Sequence, residues 1–223
     1  MNKTLLLFDI DYTLFDTTFY KKEVAHELTK LVAHLQEDKA YAIIEEVYYD
    51  VRSFGSFDPS LFADIFLKKV PNAPSKEVIE EIWWRKDILE SALYPEVVST
   101  LQTLSKNTHL QLGIFSSGKT EFQLAKIAHL EDFFHKGSIH IASFKEETID
   151  ELVEEYRDRK MVLVDDYIEI LVTVKKQKPD TTAVWMKRGR FAEKAQIPEG
   201  FVPDGVIVSL DEIVTLVDKL GID

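Results

Sequence analysis

Two aspartates, Asp9 and Asp11, follow a short apolar run at residues 5–8, with only Ile10 between them. The apolar run is typical of a buried strand, so both carboxylates stand at the carboxyl end of that strand. Burying an anion that has no partner is costly, and two anions so close together repel each other. The spacing therefore predicts one of two arrangements: a solvated edge of a sheet, or a site that holds positive charge.

Residues that could do chemistry also follow three later apolar runs. Each group alone is ordinary in a turn or at a helix start, but the carboxyl ends of parallel strands meet at one edge of a sheet. Four carboxylates at one edge need a cation, and Mg²⁺ prefers oxygen ligands, so a phosphoryl group would fit between such a metal and a lysine. Ser116 and Ser117 follow residues 110–115, Lys145 comes just after residues 139–143, and Asp165 and Asp166 follow residues 161–164.

The elements that must position these groups alternate along the chain. Short runs rich in Leu, Ile and Val predict strands at residues 4–8, 110–115, 139–143, 161–164, 181–186 and 205–208. Helical periodicity lies between them at residues 95–107, 118–130, 146–158 and 209–221, and the last stretch begins with a capping box of Ser209 and Glu212. Alternating strands and helices predict an α/β fold with a doubly wound parallel sheet.

One region breaks the alternation, because residues 19–92 contain no strand pattern. Asp58 is a predicted N-cap there, with Pro59 at the first helical position, and Ser75 is another predicted N-cap. The length favours a separate helical domain. We therefore predict an α/β core of residues 1–17 and 93–223 and an inserted helical domain of residues 18–92. The predicted helices of the insert are residues 20–36, 39–54, 58–70 and 75–93.

Composition excludes several classes of protein. The formal net charge is −12 and the pI is about 5.0, which argues against sequence-independent binding to nucleic acid or to an anionic membrane. The chain has no cysteine, so it has neither disulfides nor cysteine-ligated metals. We find neither a signal-peptide pattern nor an apolar run of membrane-spanning length, and we expect a cytoplasmic protein.

Taken together, these motifs resemble the haloacid dehalogenase superfamily, in its phosphatase-like branch with a helical C1 cap. The first motif of that superfamily, D-x-D-x-T after a strand, is matched by Asp9, Asp11 and Thr13. The second is a strand that ends in Ser or Thr, the third is a lysine near a helix start, and the fourth is a strand that ends in an acid pair. Ser116, Lys145, and Asp165 with Asp166 match these three motifs, and the helical insert resembles the cap.

The resemblance implies Mg²⁺-dependent hydrolysis of a small phosphate monoester. In that chemistry Asp9 is the nucleophile that forms an aspartyl-phosphate, and Asp11 is the general acid and base. Asp11 would also give its main-chain carbonyl to the metal, and Thr13 would orient Asp11 or the loop. The implied phosphate-binding residues are Thr13, Ser116, Ser117 and Lys145, and the implied metal ligands are Asp9, Asp11, Asp165 and Asp166, with Asp166 favoured over Asp165 as the direct ligand.

Several alternatives stay open at this point. Tyr12 stands where a small residue is more common, and Lys136 is a second candidate for the motif lysine. Dehalogenases of this superfamily lack the acid two residues after the nucleophile, because a leaving halide needs no proton, so Asp11 favours a phosphatase. A phosphomutase and a non-catalytic binding module of the same fold remain alternatives. The expected partner is a small-molecule phosphate ester whose identity the sequence does not determine.

Overall fold

The computed structural model describes residues 3–219 and residue 221, and these contain a six-stranded parallel sheet. The strand order is β3-β2-β1-β4-β5-β6, which confirms the predicted doubly wound α/β fold. The strands are β1 (Thr4–Phe8), β2 (Leu110–Ser117), β3 (Ile139–Ala142), β4 (Met161–Asp165), β5 (Thr182–Met186) and β6 (Gly205–Ile207). All six predicted strands are present, with ends that differ by at most two residues.

The first strand lies in the interior of the sheet, and all five of its residues are buried. Leu6 and Phe8 pack into a hydrophobic cluster on one side of the sheet, and Leu5 and Leu7 pack into another cluster on the opposite side. Alternate residues of a strand point to opposite faces, so a continuous apolar run suits a strand that is covered on both faces. β1 pairs with β2 on one side and with β4 on the other.

The helices fall into two groups. The first group is the first five of the six helices between β1 and β2: α1 (Thr17–Leu31), α2 (Glu37–Ser53), α3 (Pro59–Lys69), α4 (Lys76–Trp83) and α5 (Lys86–Ser91). The others connect or follow strands: α6 (Val97–Leu104), α7 (Thr120–Lys126), α8 (Ile149–Glu155), α9 (Ile168–Gln177), α10 (Gly189–Lys194) and α11 (Glu212–Lys219). Short 3₁₀ helices occupy Ala128–Phe133, Lys136–Ser138 and Lys145–Thr148. None of the helices in residues 3–219 is both long and apolar enough to span a bilayer.

Helices α1 to α5 form the helical insert, and a short antiparallel bridge joins its entry to its exit. Phe15 pairs with Leu93 in that bridge. As predicted, Asp58 is the N-cap of α3, and its carboxylate accepts a hydrogen bond from the amide of Ser60 at 2.9 Å. The insert and one face of the sheet share a single hydrophobic cluster. The residues at which the core and the insert divide into domains stay a prediction.

Some helix predictions were wrong in detail. Residues 75–93 are not one helix, since α4 ends at Trp83 and Arg85 is extended before α5 begins. The Arg85 side chain pairs with Glu27 at 2.6 Å and with Asp87 at 2.5 Å, a tertiary contact that helical periodicity does not reveal.

The predicted capping box before α11 forms only in part. The Glu212 carboxylate accepts from the amide of Ser209 at 3.0 Å, as a capping box requires. The Ser209 hydroxyl donates to Asp211 instead of capping the helix. Ser75 stands at the N-cap of α4 as predicted, but its side chain makes no capping hydrogen bond in the structure.

Candidate active site

The carboxyl ends of β1 and β4 bring three buried carboxyl groups to one point. Asp9 follows β1, and its amide donates to the carbonyl of Val164 at 3.0 Å, which holds the residue against the neighbouring strand. Asp165 ends β4 and Asp166 follows it. One carboxylate oxygen from each of the three lies within 4.8 Å of the others. We call Asp9, Asp165 and Asp166 the carboxylate cluster.

Lys145 supplies positive charge to the carboxylate cluster. Its Nζ donates to Asp9 Oδ1 at 2.8 Å and to Asp165 Oδ2 at 2.5 Å, and the side chain is only 5% exposed. Burial alone would lower the pKa of this lysine, but the two carboxylates outweigh burial and raise the pKa above its ordinary value. Lys136, the second candidate for the motif lysine, is exposed in a 3₁₀ helix. The structure therefore brings Lys145 to the acids.

Asp165 and Asp166 differ in their surroundings. Asp165 Oδ1 accepts from the amide of Tyr167 at 2.9 Å, whereas Asp166 Oδ2 is buried and has no hydrogen-bond partner among the described residues. Burial raises the pKa of Asp165 to about 7, although Lys145 opposes the rise. Burial raises the pKa of Asp166 to about 9, and the charges of Asp9 and Asp165 add to the rise.

These properties fit a divalent cation. A buried carboxylate oxygen without a partner is costly, and three oxygen donors within a few ångströms of one another are the ligands that Mg²⁺ prefers. Asp9, Asp165 and Asp166 would hold the ion. The carboxylate of Asp11 lies outside this cluster, so three of the four predicted metal residues bring their side chains together. The predicted role of the Asp11 main-chain carbonyl stays a prediction.

Asp11 is held by a separate set of side chains. Its carboxylate accepts from Lys126 Nζ at 2.7 and 2.9 Å, from Gln123 Nε2 at 2.8 Å and from the hydroxyl of Thr17. Burial acts to raise the pKa of Asp11, but the charge and hydrogen bond of Lys126 outweigh burial and lower the pKa below its ordinary value. Tyr12, the next residue, has a left-handed backbone with φ of 62°. The carboxylate of Asp11 is therefore ionised, and three side chains hold it in place.

Sequence reasoning did not identify Gln123 and Lys126. Both lie on α7, the helix that follows β2, and they are 2% and 5% exposed. They are three residues apart, so they share one face of the helix. A lysine within an apolar helical stripe is the signal that could have identified them, because a buried lysine needs a partner.

The predicted phosphate-binding residues occupy different positions. Ser116 and Lys145 are buried beside Asp9, and the Ser116 hydroxyl is among the groups that lower the pKa of Asp9 against the dominant effect of burial. The Ser117 hydroxyl accepts from the amide of Lys145 at 3.1 Å. Thr13 is fully buried, and its hydroxyl has no hydrogen-bond partner within the described part of the chain. Phosphate binding by these residues stays a prediction.

A cavity of about 190 Å³ lies between the helical insert and this edge of the sheet. Asp9, Asp11, Asp166 and Lys145 are among the residues that line it. Residues of the insert and of α10 also line it, so a small molecule bound there would contact both parts of the fold.

A comparison with known protein families identifies the family of this chain. A family model described as haloacid dehalogenase-like hydrolase matches residues 3–167. The chain belongs to this family. The match includes the carboxylate cluster, Asp11 and Lys145. The haloacid dehalogenase-like chain is thus a hydrolase by family, as its sequence motifs predicted. Comparison with functionally curated proteins gives no significant match.

Solved structures share the fold of this haloacid dehalogenase-like chain. A haloacid dehalogenase-like hydrolase from Burkholderia xenovorans aligns with a TM-score of 0.78 at 22% identity, covering 98% of both chains. The hydrolase YfnB from Bacillus subtilis, in a magnesium-bound form, aligns with a TM-score of 0.60 at 14% identity, covering 98% of this chain and 100% of that one. The L-2-haloacid dehalogenase from Xanthobacter autotrophicus aligns with a TM-score of 0.59 at 16% identity, covering 98% and 99%. At these identities the similarity establishes the fold alone.

Proposed function

We propose that the protein is a Mg²⁺-dependent phosphatase that hydrolyses a small phosphate monoester through an aspartyl-phosphate at Asp9. The carboxylate cluster carries this proposal. A phosphate dianion cannot approach the anionic Asp9 unless positive charge offsets the repulsion, and a metal ion on the cluster beside Lys145 would supply that charge. The magnesium-bound Bacillus subtilis relative supports the choice of metal.

The chemistry divides between Asp9 and Asp11. An Asp9 carboxylate oxygen forms a bond to phosphorus while the ester P–O bond breaks, and Asp11 gives a proton to the departing oxygen. Water then attacks phosphorus, passes a proton to Asp11, and releases inorganic phosphate with Asp9 restored. One residue serves as acid and then as base because the second step reverses the proton demand of the first.

The contacts of Asp11 influence its protonation state in each of the two steps. The ion pair with Lys126, at 2.7 and 2.9 Å, keeps Asp11 ionised, which is the state needed for a base. To protonate a leaving oxygen, Asp11 must first take up a proton, and the charge of Lys126 opposes that uptake. Lys145, at 2.8 Å from Asp9 Oδ1, holds the nucleophile in place and adds positive charge where negative charge develops.

A dehalogenase is the second candidate, because several proteins of similar fold are dehalogenases. Asp11 argues against it, since expulsion of a halide needs no proton donor and the dehalogenases of the superfamily lack this acid. A carbon–halogen bond also needs no metal ion next to the nucleophile, whereas the buried Asp166 Oδ2 needs a partner.

The test measures release of phosphate and of halide from the same preparation. We expect phosphate from 4-nitrophenyl phosphate with Mg²⁺, none with EDTA, and no chloride from 2-chloropropionate. Asp9→Asn should lower turnover by several orders of magnitude, because it removes the attacking anion. The matched control, Asp132→Asn, changes an exposed acid and should retain full activity. Chloride release, or phosphate release that persists in EDTA, would contradict the proposal.

A further inference from the structure

Three cations that line the cavity have no role in the proposed hydrolysis. Lys21 lies on α1 and Arg52 on α2, both in the helical insert, whereas Arg190 lies on α10 of the core. All three line the same cavity as Asp9. We call them the cation trio.

The trio lacks partners that neighbouring cations have. Lys119 pairs with Asp58 at 2.7 Å, and Lys126 and Lys145 pair with the active-site acids. Within the described residues, by contrast, no member of the trio forms an ion pair, and Arg190 Nε is buried without a hydrogen-bond acceptor. The net charge of −12 means that acids outnumber cations in this chain. Even so, none of the described acids pairs with these three cations, which leaves their charge available to a bound anion.

The charges of the other two members of the trio act on Lys21. Burial lowers the pKa of Lys21, and the positive charges of Arg190 and Arg52 lower it further, while the exposed Glu45 opposes the shift. The Lys21 ammonium lies 3.8 Å from the ring centroid of Tyr48, a cation–π contact that fixes the amine at the cavity wall. An anion placed among the three would relieve both the repulsion and the unpaired donor.

We infer that the substrate carries a second anionic group, a carboxylate or a phosphate, which binds the cation trio while its scissile phosphoryl group lies at Asp9. This inference rests on the proposed function and deepens it. A cavity of about 190 Å³ is smaller than the roughly 300 Å³ at which pockets for drug-sized ligands begin. This volume favours a compact substrate, a chain of a few carbons with an anion at each end.

The test compares phosphate esters that differ only at the far end. Each ω-carboxyalkyl phosphate of two to five carbons is paired with the n-alkyl phosphate of the same length. We expect the carboxylate to raise kcat/KM by about 10- to 100-fold at the best length, mainly through a lower KM, because hydrogen bonds to charged groups contribute on this scale. Equal kcat/KM for both members at every length would overturn the inference.

Variants assign the effect to the trio. Lys21→Gln, Arg52→Gln and Arg190→Gln should each reduce the preference for the carboxylate ester, and Arg52→Lys should restore part of what Arg52→Gln loses. Lys22→Gln is the matched control, since Lys22 is exposed on the same helix as Lys21. A preference that survives all three glutamine variants, with unchanged melting temperatures, would place the second anion elsewhere and overturn the inference.

A binding measurement separates this inference from the proposed function. Calorimetric titration with succinate needs no turnover, and we expect binding to the wild type that is lost in the Arg52→Gln, Arg190→Gln double variant. If no phosphate ester is hydrolysed but succinate binding depends on the trio, the phosphatase proposal fails and the anion site stands. If esters are hydrolysed but succinate binds the double variant as well as the wild type, the anion site fails and the phosphatase stands.

Discussion

Replacing Asp166 by asparagine should stabilise the metal-free protein, which is the reverse of the usual effect of changing a buried polar residue. Asp166 is 3% exposed, and its Oδ2 has no hydrogen-bond partner in the described structure. Its pKa is raised from 3.8 to about 9 by burial and by the neighbouring carboxylates. The folded, metal-free protein must therefore hold a proton on Asp166 that the unfolded chain releases at neutral pH. Asparagine resembles the protonated side chain and removes that requirement.

The size and direction follow from proton linkage. A raised carboxyl pKa gives stability that is fully present below the unfolded pKa of 3.8 and is lost as the pH rises towards the folded pKa of about 9. At pH 7.5, which is about 3.7 pH units above the unfolded value, the loss at 1.36 kcal/mol per unit is about 5 kcal/mol. Asp9 and Asp165 share part of this cost, so we expect Asp166→Asn to gain about 2 to 4 kcal/mol. At pH 5 the gain should fall to about 1 kcal/mol.

Thermal unfolding in EDTA measures this gain. A chain of this length shifts its melting temperature by about 2 to 4 °C per kcal/mol, so the variant should melt about 5 to 15 °C above the wild type at pH 7.5. Added Mg²⁺ should raise the melting temperature of the wild type, more at pH 7.5 than at pH 5, and should have little effect on the variant. Asp132→Asn, an exposed control, should change neither value. A variant that melts below the wild type in EDTA at pH 7.5 would refute the reasoning.

The remaining predictions concern the lysines. Lys145→Met should abolish activity and destabilise the fold by about 3 to 5 kcal/mol in urea unfolding, because it leaves two buried carboxylates without their cation. Lys136→Met, at an exposed residue, should do neither. The reverse result would show that Lys136 is the motif lysine. Lys126→Met removes the cation that holds the pKa of Asp11 low, so the pKa should rise and the acid limb of the kcat profile should move to higher pH; an unchanged profile would show that the ion pair does not set the protonation of Asp11.

The motif residues were predictable because each depends on local sequence. A continuous apolar run forms a buried parallel strand, and the residue after it must lie at the carboxyl edge, so Asp9, Asp165 and Asp166 could be placed from the chain alone. Lys145 follows β3 in the same way. The sheet order then brings these side chains into contact.

Other features depend on contacts between distant segments, which periodicity does not encode. The clamp on Asp11 comes from Gln123 and Lys126, more than 100 residues along the chain, with sequence separations of 112 and 115. The break before α5 coincides with the pairing of Arg85 to Glu27 on α1.

The residues of the cation trio lie far apart in the sequence, on α1, α2 and α10. No local motif therefore predicts that they meet. Nothing in the sequence around Arg52 distinguishes it from other cations of the insert, and only the structure places it at the cavity. Tyr20 and Trp83 also line the cavity, but they are almost fully buried, and the Tyr20 hydroxyl donates to the Trp83 carbonyl at 2.5 Å.

The central claim is that Asp9 takes the phosphoryl group and that Asp11 moves the protons, and trapping the intermediate tests it most directly. Asp11→Asn keeps the main-chain carbonyl but removes both proton transfers. With 4-nitrophenyl phosphate, whose leaving group needs little protonation, the first step should continue while hydrolysis of the aspartyl-phosphate slows by roughly 100-fold or more. Rapid quenching and mass spectrometry should then find a phosphoryl group on the peptide that contains Asp9. Steady turnover at the wild-type rate, with no phosphoryl group on Asp9 at any quench time, would contradict the account.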